Sequence, residues 1–304
     1  MDRIDAMTVV VAVGEAGSLS AAARRLRMPL PTVSRRLSDL EAHLNTRLFN
    51  RSTRHLTPTE PGQAYLQACK RILEDVSETE RAAAGEFSTP KGDLLISAPI
   101  VFGRLHVLPL IIAFLKTYPE VRVRFVQSDR QVNLLEDHVD LAVRIGELAD
   151  SQLIATRCGS TRRVVCASPD YYASAGTLRN PAELARHSLI AFETLGSADS
   201  WIFRANGSDL SVPIRPRLIV NTAEAAIDAA LAGAGFTRVL SYQVEPALAA
   251  GTLVSALKRF EPPAVPVSLV YSNQRRLPLK VRAFLDFAAP RLRERLARHA
   301  VLRR

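Results

Sequence analysis

Apolar positions recur at helical spacing through the first sixty residues and then give way to alternating strand-like and helix-like runs. In "PTVSRRLSDLEAHL" (Pro31–Leu44), Val33, Leu37, Leu40 and Leu44 stand four, three and four residues apart. That spacing keeps one face of a helix apolar. The opposite face opens with Thr32, Ser34, Arg35 and Arg36. Upstream, Ile4, Met7, Val10, Val11 and Ala12 predict a first helix over Asp2–Glu15, ended by Gly14 and Gly17. Ser18 or Ser20 can cap a second helix, "SAAARRL", that turns Ala22 and Leu26 inward. A short "RMPL" turn follows. Pro31 then suits the first turn of the third helix, because its missing N–H has no intrahelical partner there. Helix, tight turn and helix at this length form a helix-turn-helix pattern.

The next stretch, "RLFNRSTRHLTPT", has two apolar anchors, Leu48 and Phe49, and a basic polar tip of Arg51, Ser52, Thr53 and Arg54. It reads as a small wing. From Thr59 to about Ala84, Tyr65, Ala68, Cys69, Ile72, Val76 and Ala83 repeat at helical or heptad spacing. Its cap is either Thr57 with Glu60 or Thr59 ahead of Glu60 and Pro61. An isolated amphipathic helix needs a partner for its stripe. "STPKGD" is a hinge. Beyond it, "LLISA", a helix near Phe102–Thr117, "VRVRFV", a helix near Arg130–Asp137 and "DLAVRIG" alternate as βαβ units do, which predicts a parallel sheet covered on both faces. A second set runs from "RRVVCAS" through "PAELARHSLIAFE" and "WIFRA" to "RLIVNTAEAAIDAALAGAGFTRVLSYQVEPAL". "VPVSLVYS" reads as a strand returning to the first set, with a last helix from about Pro278.

Composition narrows the class. A chain of 304 residues with 47% apolar content supports two or three compact units. It holds no run of 18 apolar residues, so no membrane-spanning helix is expected. The N-terminus lacks a signal-peptide layout, and a cytoplasmic protein is expected. Net charge is +10, and its placement matters more than its size. Residues 24–54 carry eight Lys/Arg against two acids, and residues 291–304 carry six Arg against one Glu. The remainder is close to neutral. A concentrated basic block suggests a polyanion partner; a solvated charged face is the alternative. In a helix-turn-helix the third helix lies in the major groove with its N-terminal residues at base edges. Pro31, Thr32, Ser34 and Arg35 then meet bases or phosphates and Arg36 meets phosphate. Arg51, Thr53 and Arg54 reach the minor groove or adjacent phosphates.

These motifs carry a resemblance. "SLSAAARRLRMPLPTVSRRLSDLEAHLNTRLFNRSTRHLTPTEPG" resembles the winged helix-turn-helix of LysR-type transcriptional regulators, with "TVSRRLSDLE", "RLFNRSTR" and "LTPTEPG" in family order and spacing. "SAPIVFGR", "DLAVRIG" and "GAGF" resemble that family's two-lobed, periplasmic-binding-protein-like α/β effector domain. The resemblance implies an all-α winged helix-turn-helix over 1–58, a linker and dimerisation helix with hinge over 59–89, and an effector domain over 90–304. Lobe I would comprise about 90–161 and 267–304, and lobe II about 162–266. It also implies antiparallel pairing of linker helices in a homodimer or a homotetramer, with contacts between effector domains. Double-stranded operator DNA, a small-molecule effector and RNA polymerase are the expected partners; no membrane, metal or cofactor is expected.

The effector site is expected between the lobes, outside the carboxyl ends of strands. Free N–H groups near Ser97 to Ile100, at a helix start, can hold an anion, with Ser97, Ala98 and Pro99 lining the site through polar or backbone contacts. Asn221 can cap a helix with Glu224, leaving Thr222 to face the cleft. Ser128, Arg144, Gly146, Phe192 and Phe236 sit at other strand ends or turns. Arg144 is alternatively a structural ion-pair partner. The expected ligand is a small anionic or aromatic metabolite. An enzyme is not expected: six scattered histidines show no metal spacing, and there is no P-loop, dinucleotide fingerprint or nucleophile elbow. A transport-type binding protein would account for the α/β half alone. A thiol redox sensor would use Cys158 and Cys166, eight residues apart, although Cys166 lies in an apolar strand.

Overall fold

The computed structural model describes residues 2–51, 56–83, 89–130, 133–134, 136–148, 153–193, 199–273 and 277–301. The chain divides into two compact units, Met1–Thr89 and Pro90–Arg304.

The first unit contains helices α1 (Arg3–Ala16), α2 (Leu19–Leu26) and α3 (Leu30–His43), a hairpin of β1 (Phe49–Arg51) and β2 (Leu56–Pro58), and helix α4 (Glu60–Ala83). Asp2 caps α1, accepting from the Ile4 N–H at 2.9 Å, and Gly17 ends it in the left-handed region. Gly14 lies inside α1 rather than ending it. Ser18, not Ser20, caps α2 by accepting from the Ala21 N–H at 3.2 Å. Val10, Val13, Ala22, Val33, Leu37 and Phe49 form a shared core. The ambiguous cap of α4 is Thr59. Its hydroxyl accepts from the Gly62 N–H at 3.0 Å and donates to the Arg47 carbonyl at 2.7 Å. A Cβ at Gly62 would lie 1.8 Å from the Leu48 carbonyl oxygen, so α4 can start against the hairpin root only with glycine there. Glu15 joins three helices, pairing with Arg25 of α2 at 2.6 Å and Lys70 of α4 at 2.7 Å. Burial would raise its pKa, but Lys70 and Arg25 outweigh that and hold the carboxyl below its usual range.

The second unit has two lobes. In lobe I, β3 (Gly92–Ala98) feeds a helix made of α5 (Ile100–Phe102), a π turn (Gly103–Val107) and α6 (Leu108–Thr117). Strands β4 (Val121–Gln127), β5 (Leu141–Ile145) and β6 (Leu153–Thr161) follow. Lobe II contains β7 (Arg163–Ala167), α7 (Pro169–Ala175), a 3-10 turn (Pro181–Arg186), β8 (Leu189–Phe192), the hairpin β9 (Ser200–Ala205) and β10 (Ser208–Pro213), β11 (Leu218–Val220), α8 (Ala223–Leu231), β12 (Phe236–Leu240), α9 (Ser241–Ala249) and β13 (Val254–Ala256). The chain then returns to lobe I with β14 (Val265–Ser272) and α10 (Leu279–Val301).

Each lobe holds one five-stranded sheet, in the orders β4-β3-β5-β14-β6 and β11-β8-β12-β7-β13. Both sheets are mixed, not parallel as expected. β3 runs parallel to β4 and β5, but β14 returns from lobe II and enters against β5 and β6. β7, entering lobe II from lobe I, runs against β12. An Arg162–Glu261 ion pair at 2.6 Å and the Thr161–Ser241 hydroxyl pair at 3.2 Å hold the crossing points. The expected helix near Arg130–Asp137 is replaced by turns in the residues described there, while Gln131, Val132 and Leu135 lie outside them. By length and composition alone the segment Ile100–Thr117 could cross a membrane. It is instead a core helix of lobe I. Phe114 packs edge-on against Phe284 and Phe287 of α10, 5.1 and 5.6 Å between centroids. A Cβ at Gly159 would lie 2.7 Å from Leu296, so this glycine lets α10 lie on β6.

Two apolar layers flank the lobe II sheet. Val164, Cys166, Ile190 and Val239 join a core that extends into lobe I, while Val165, Ala167 and Phe236 pack with Trp201 and Phe203 of the β9–β10 hairpin.

Candidate functional site

In the N-terminal unit the stripe on α3 is buried as its spacing requires: Val33 and Leu37 are fully enclosed and Leu40 nearly so. Pro31 and Arg35 are exposed, and Thr32 and Ser34 half-exposed, on the other face. The Arg35 guanidinium has no partner among the described residues. Arg36 differs: its Nη1 lies 3.0 Å from Asp5 Oδ2, so α1 holds the charge expected to meet phosphate. Two residues were not singled out for function from the sequence. Leu30 opens α3 with 45% of its surface exposed, next to Thr32. Glu41 accepts from the Leu48 and Phe49 N–H groups at 2.8 and 3.1 Å, fixing the hairpin root to α3. Arg51 ends β1, paired with Leu56 across the hairpin. Its side chain, and Thr53 and Arg54 entirely, lie outside the described residues.

In the second unit the parallel strands of each lobe end on a common edge. β3, β4 and β5 bring together Ser97–Ala98–Pro99, Ser128 and Gly146; β8 and β11 bring together Phe192 and Thr222. Several roles change. Phe236 starts β12 at the far end from Phe192, is fully buried, and meets Tyr171, Tyr172 and His187 edge-on at 5.1–5.3 Å. It is a core residue, not a cleft wall. Thr222, not Asn221, caps α8 by accepting from the Ala225 N–H at 3.3 Å. The Ser128 hydroxyl accepts from the Arg130 N–H at 3.1 Å, and the Gly146 N–H donates to the Pro266 carbonyl at 2.9 Å, so both are committed locally. Gly146 sits at φ +121°, a conformation side chains disfavour. Arg144 is half-buried within β5 and is not free, and burial pulls its pKa down.

The helix start at Pro99 does not offer free N–H groups to an anion. Asp129 Oδ1 accepts from the Ile100 N–H at 3.0 Å, and its Oδ2 is buried with no hydrogen-bond partner among the described residues. Burial pushes this carboxyl up; the Ile100 N–H counters, and Glu224 of α8 adds to the rise. Asp129 and Glu224 come from different lobes. Tyr242 of α9 stands beside them, edge-on to Phe102 at 5.3 Å and His106 at 5.6 Å, its phenol pushed far up by burial and then by Asp129. The seam between lobes is therefore acidic and aromatic. Ser128 in "QSDR" pointed to its neighbour Asp129, whereas nothing local in the sequence marked Tyr242. All three cysteines are buried and unpaired. Burial pushes Cys166 up to about 12 and raises Cys158 as well, the reverse of what a thiolate sensor needs. Among the described residues no group of three His, Cys, Asp or Glu could hold a metal ion.

Comparison with known proteins gives two family matches. Residues 4–63 match the model of the bacterial regulatory helix-turn-helix protein, LysR family, and residues 88–293 that of the LysR substrate binding domain. The chain is 35% identical over 291 residues to the transcriptional regulator CrgA of Neisseria meningitidis, covering 94% of this chain and 96% of the relative. It is 34% identical over 289 residues to a transcriptional repressor of Pseudomonas aeruginosa, covering 94% and 91%. Among solved structures, CrgA aligns with a TM-score of 0.61 at 33% identity, covering 95% of this chain and 98% of that one. The full-length virulence activator AphB of Vibrio cholerae aligns at 0.59 and 27%, covering 94% and 98%.

Proposed function

The chain belongs to the LysR-type transcriptional regulators, DNA-binding proteins with a small-molecule effector domain, and on that premise we propose how its own residues divide the work. Arg35, Thr32 and Ser34 face base edges, with Pro31 setting the helix start. Arg can pair in bidentate fashion with guanine, and hydroxyls suit bases or backbone. Leu30 supplies an apolar surface fit for a thymine methyl. Arg51, Thr53 and Arg54 reach phosphates or the minor groove from the wing, and Arg36 acts first by fixing α3 to α1. The observation that carries this reading is the division of α3 into an enclosed Val33–Leu37–Leu40 stripe and an exposed Arg35 edge. Mapping the sites occupied across the source genome tests it. Occupancy concentrated upstream of genes supports the reading, and occupancy spread evenly overturns it.

Two copies or four assemble in this account. Ile72, 41% exposed on α4, and half-buried Val76 continue the stripe beyond the part that packs on α1, and they suit a second α4. Ile112 on α6, Val126 on edge strand β4 and Ile219 on edge strand β11 are exposed apolar positions that suit pairing of effector domains. The effector lies between the lobes near Ser97, Ser128, Phe192 and Thr222 and presents a cation or hydrogen-bond donors to Asp129, which sets aside the anionic of the two ligand classes expected from the sequence, anionic or aromatic. Its binding shifts the lobes, and through them the spacing of the DNA modules. The protein works in the cytoplasm, with RNA polymerase as a further partner. A thermal-shift screen of aromatic amines against aromatic carboxylates separates the alternatives: stabilisation confined to carboxylates would rule out the Asp129 role.

A further inference from the structure

We propose that Arg163 and Arg238, walled by Trp201, form a binding site for a small oxyanion on the outer layer of lobe II, apart from the seam between lobes. Arg238 lies opposite Val165 in the β12–β7 register, and Arg163 is two residues along β7 on the same face as Val165. Diagonal neighbours on adjacent strands are about 7–8 Å apart, within reach for long side chains. This face carries Val165, Ala167 and Phe236, beneath the β9–β10 hairpin.

Arg238 is 7% exposed. Its Nη1 donates to the Ile202 carbonyl at 3.2 Å, and its guanidinium carbon stands 5.3 Å from the Trp201 ring centroid. Its Nε is buried with no hydrogen-bond partner among the described residues. Arg163 is half-buried, so the pair opens to solvent on that side, and its guanidinium has no partner among the described residues. Burial, and then the neighbouring Arg163, pull Arg238 down to about 10. No carboxylate pairs with either arginine among the described residues; Glu261 pairs with Arg162, and Asp209 with Arg204. Two adjacent cations with no counter-charge among the described residues, one of them inside an apolar layer, are costly to keep. An oxyanion removes that cost, because planar guanidinium forks match carboxylate and phosphate oxygens. Bound there, it would tie the hairpin to the sheet.

Trp201 is the only tryptophan in the chain, so its fluorescence reports on this site in the full-length protein. Inorganic phosphate and malonate are titrated separately, with chloride holding ionic strength constant. A saturable change with either oxyanion, lost in Arg163→Gln, is expected, and which one acts tells phosphate from carboxylate. Arg163→Gln should melt at or above the wild-type temperature without oxyanion, because it removes a like-charge neighbour. Fluorescence that follows ionic strength alone, or an Arg163→Gln response equal to wild type, overturns the proposal.

Discussion

Arg35 stands on the open edge of α3, and Arg238 lies among apolar side chains beneath the β9–β10 hairpin. The first keeps its charge in water, open to the polyanion proposed for it. The second has been taken out of water and left with one carbonyl, one aromatic face and an unused Nε. One residue type thus marks two kinds of site. On an amphipathic helix, exposure follows from the period, and charge is read directly. On a strand buried on both faces the period is silent, and only the absence of a carboxylate gives the arginine meaning.

Breaking the helical side of this contrast should have the largest effect. Leu37→Ala empties a fully enclosed position and should cost about 2–5 kcal/mol in the N-terminal unit. Circular dichroism should show an early helical transition, while the Trp201 fluorescence melt stays near wild type. Arg35→Ala should next remove about 1–3 kcal/mol of base discrimination, seen as convergence of affinities for selected and scrambled duplexes. Glu41→Ala leaves the Leu48 and Phe49 N–H groups without their acceptor, a cost of about 1–3 kcal/mol per unsatisfied group if water does not replace it. It should weaken all duplexes alike in anisotropy titrations, because it moves the wing and not the reading edge. Arg36→Ala should cost under about 1 kcal/mol, the usual range of an exposed pair.

The smallest effect sharpens the other side. Asp129 has a raised pKa in the fold, so the folded state binds its proton more tightly than the unfolded chain does. Stability from this group is full below the ordinary carboxylate range and falls as pH rises through the raised value. Asp129→Asn, which keeps an acceptor for the Ile100 N–H, should therefore raise the melting temperature at neutral pH, with the gain vanishing at acid pH.

The first unit was legible because its signals are local. The stripe of α3, the Ser18 cap and the Gly17 stop each act within a few residues, and the structure chooses Ser18 over Ser20 and Gly17 over Gly14 from the alternatives the pattern left. The linker helix was equally plain, since 24 residues of stripe leave little choice. The α/β half was legible only as a sequence of elements. Its sheets are mixed because the chain crosses between lobes twice, a long-range event that no window of sequence contains. The cleft suffered for the same reason. Phe236 was placed at a strand end, but which end faces the seam depends on strand direction. Thr222 displaced Asn221 as the cap, a shift of one residue that commits the Thr222 hydroxyl to the helix. Asp129 reversed the electrostatic sense of the site by occupying an N–H that the sequence left open.

The central claim is that the Arg35 edge of α3 reads bases. Selection of bound duplexes from a random pool, run in parallel with wild type and Arg35→Ala at moderate ionic strength, tests it most directly. Wild type should enrich a two-part site, and Arg35→Ala should lose the preference at one or more positions in each half. Enrichment of the same consensus to the same degree by both proteins would contradict the claim.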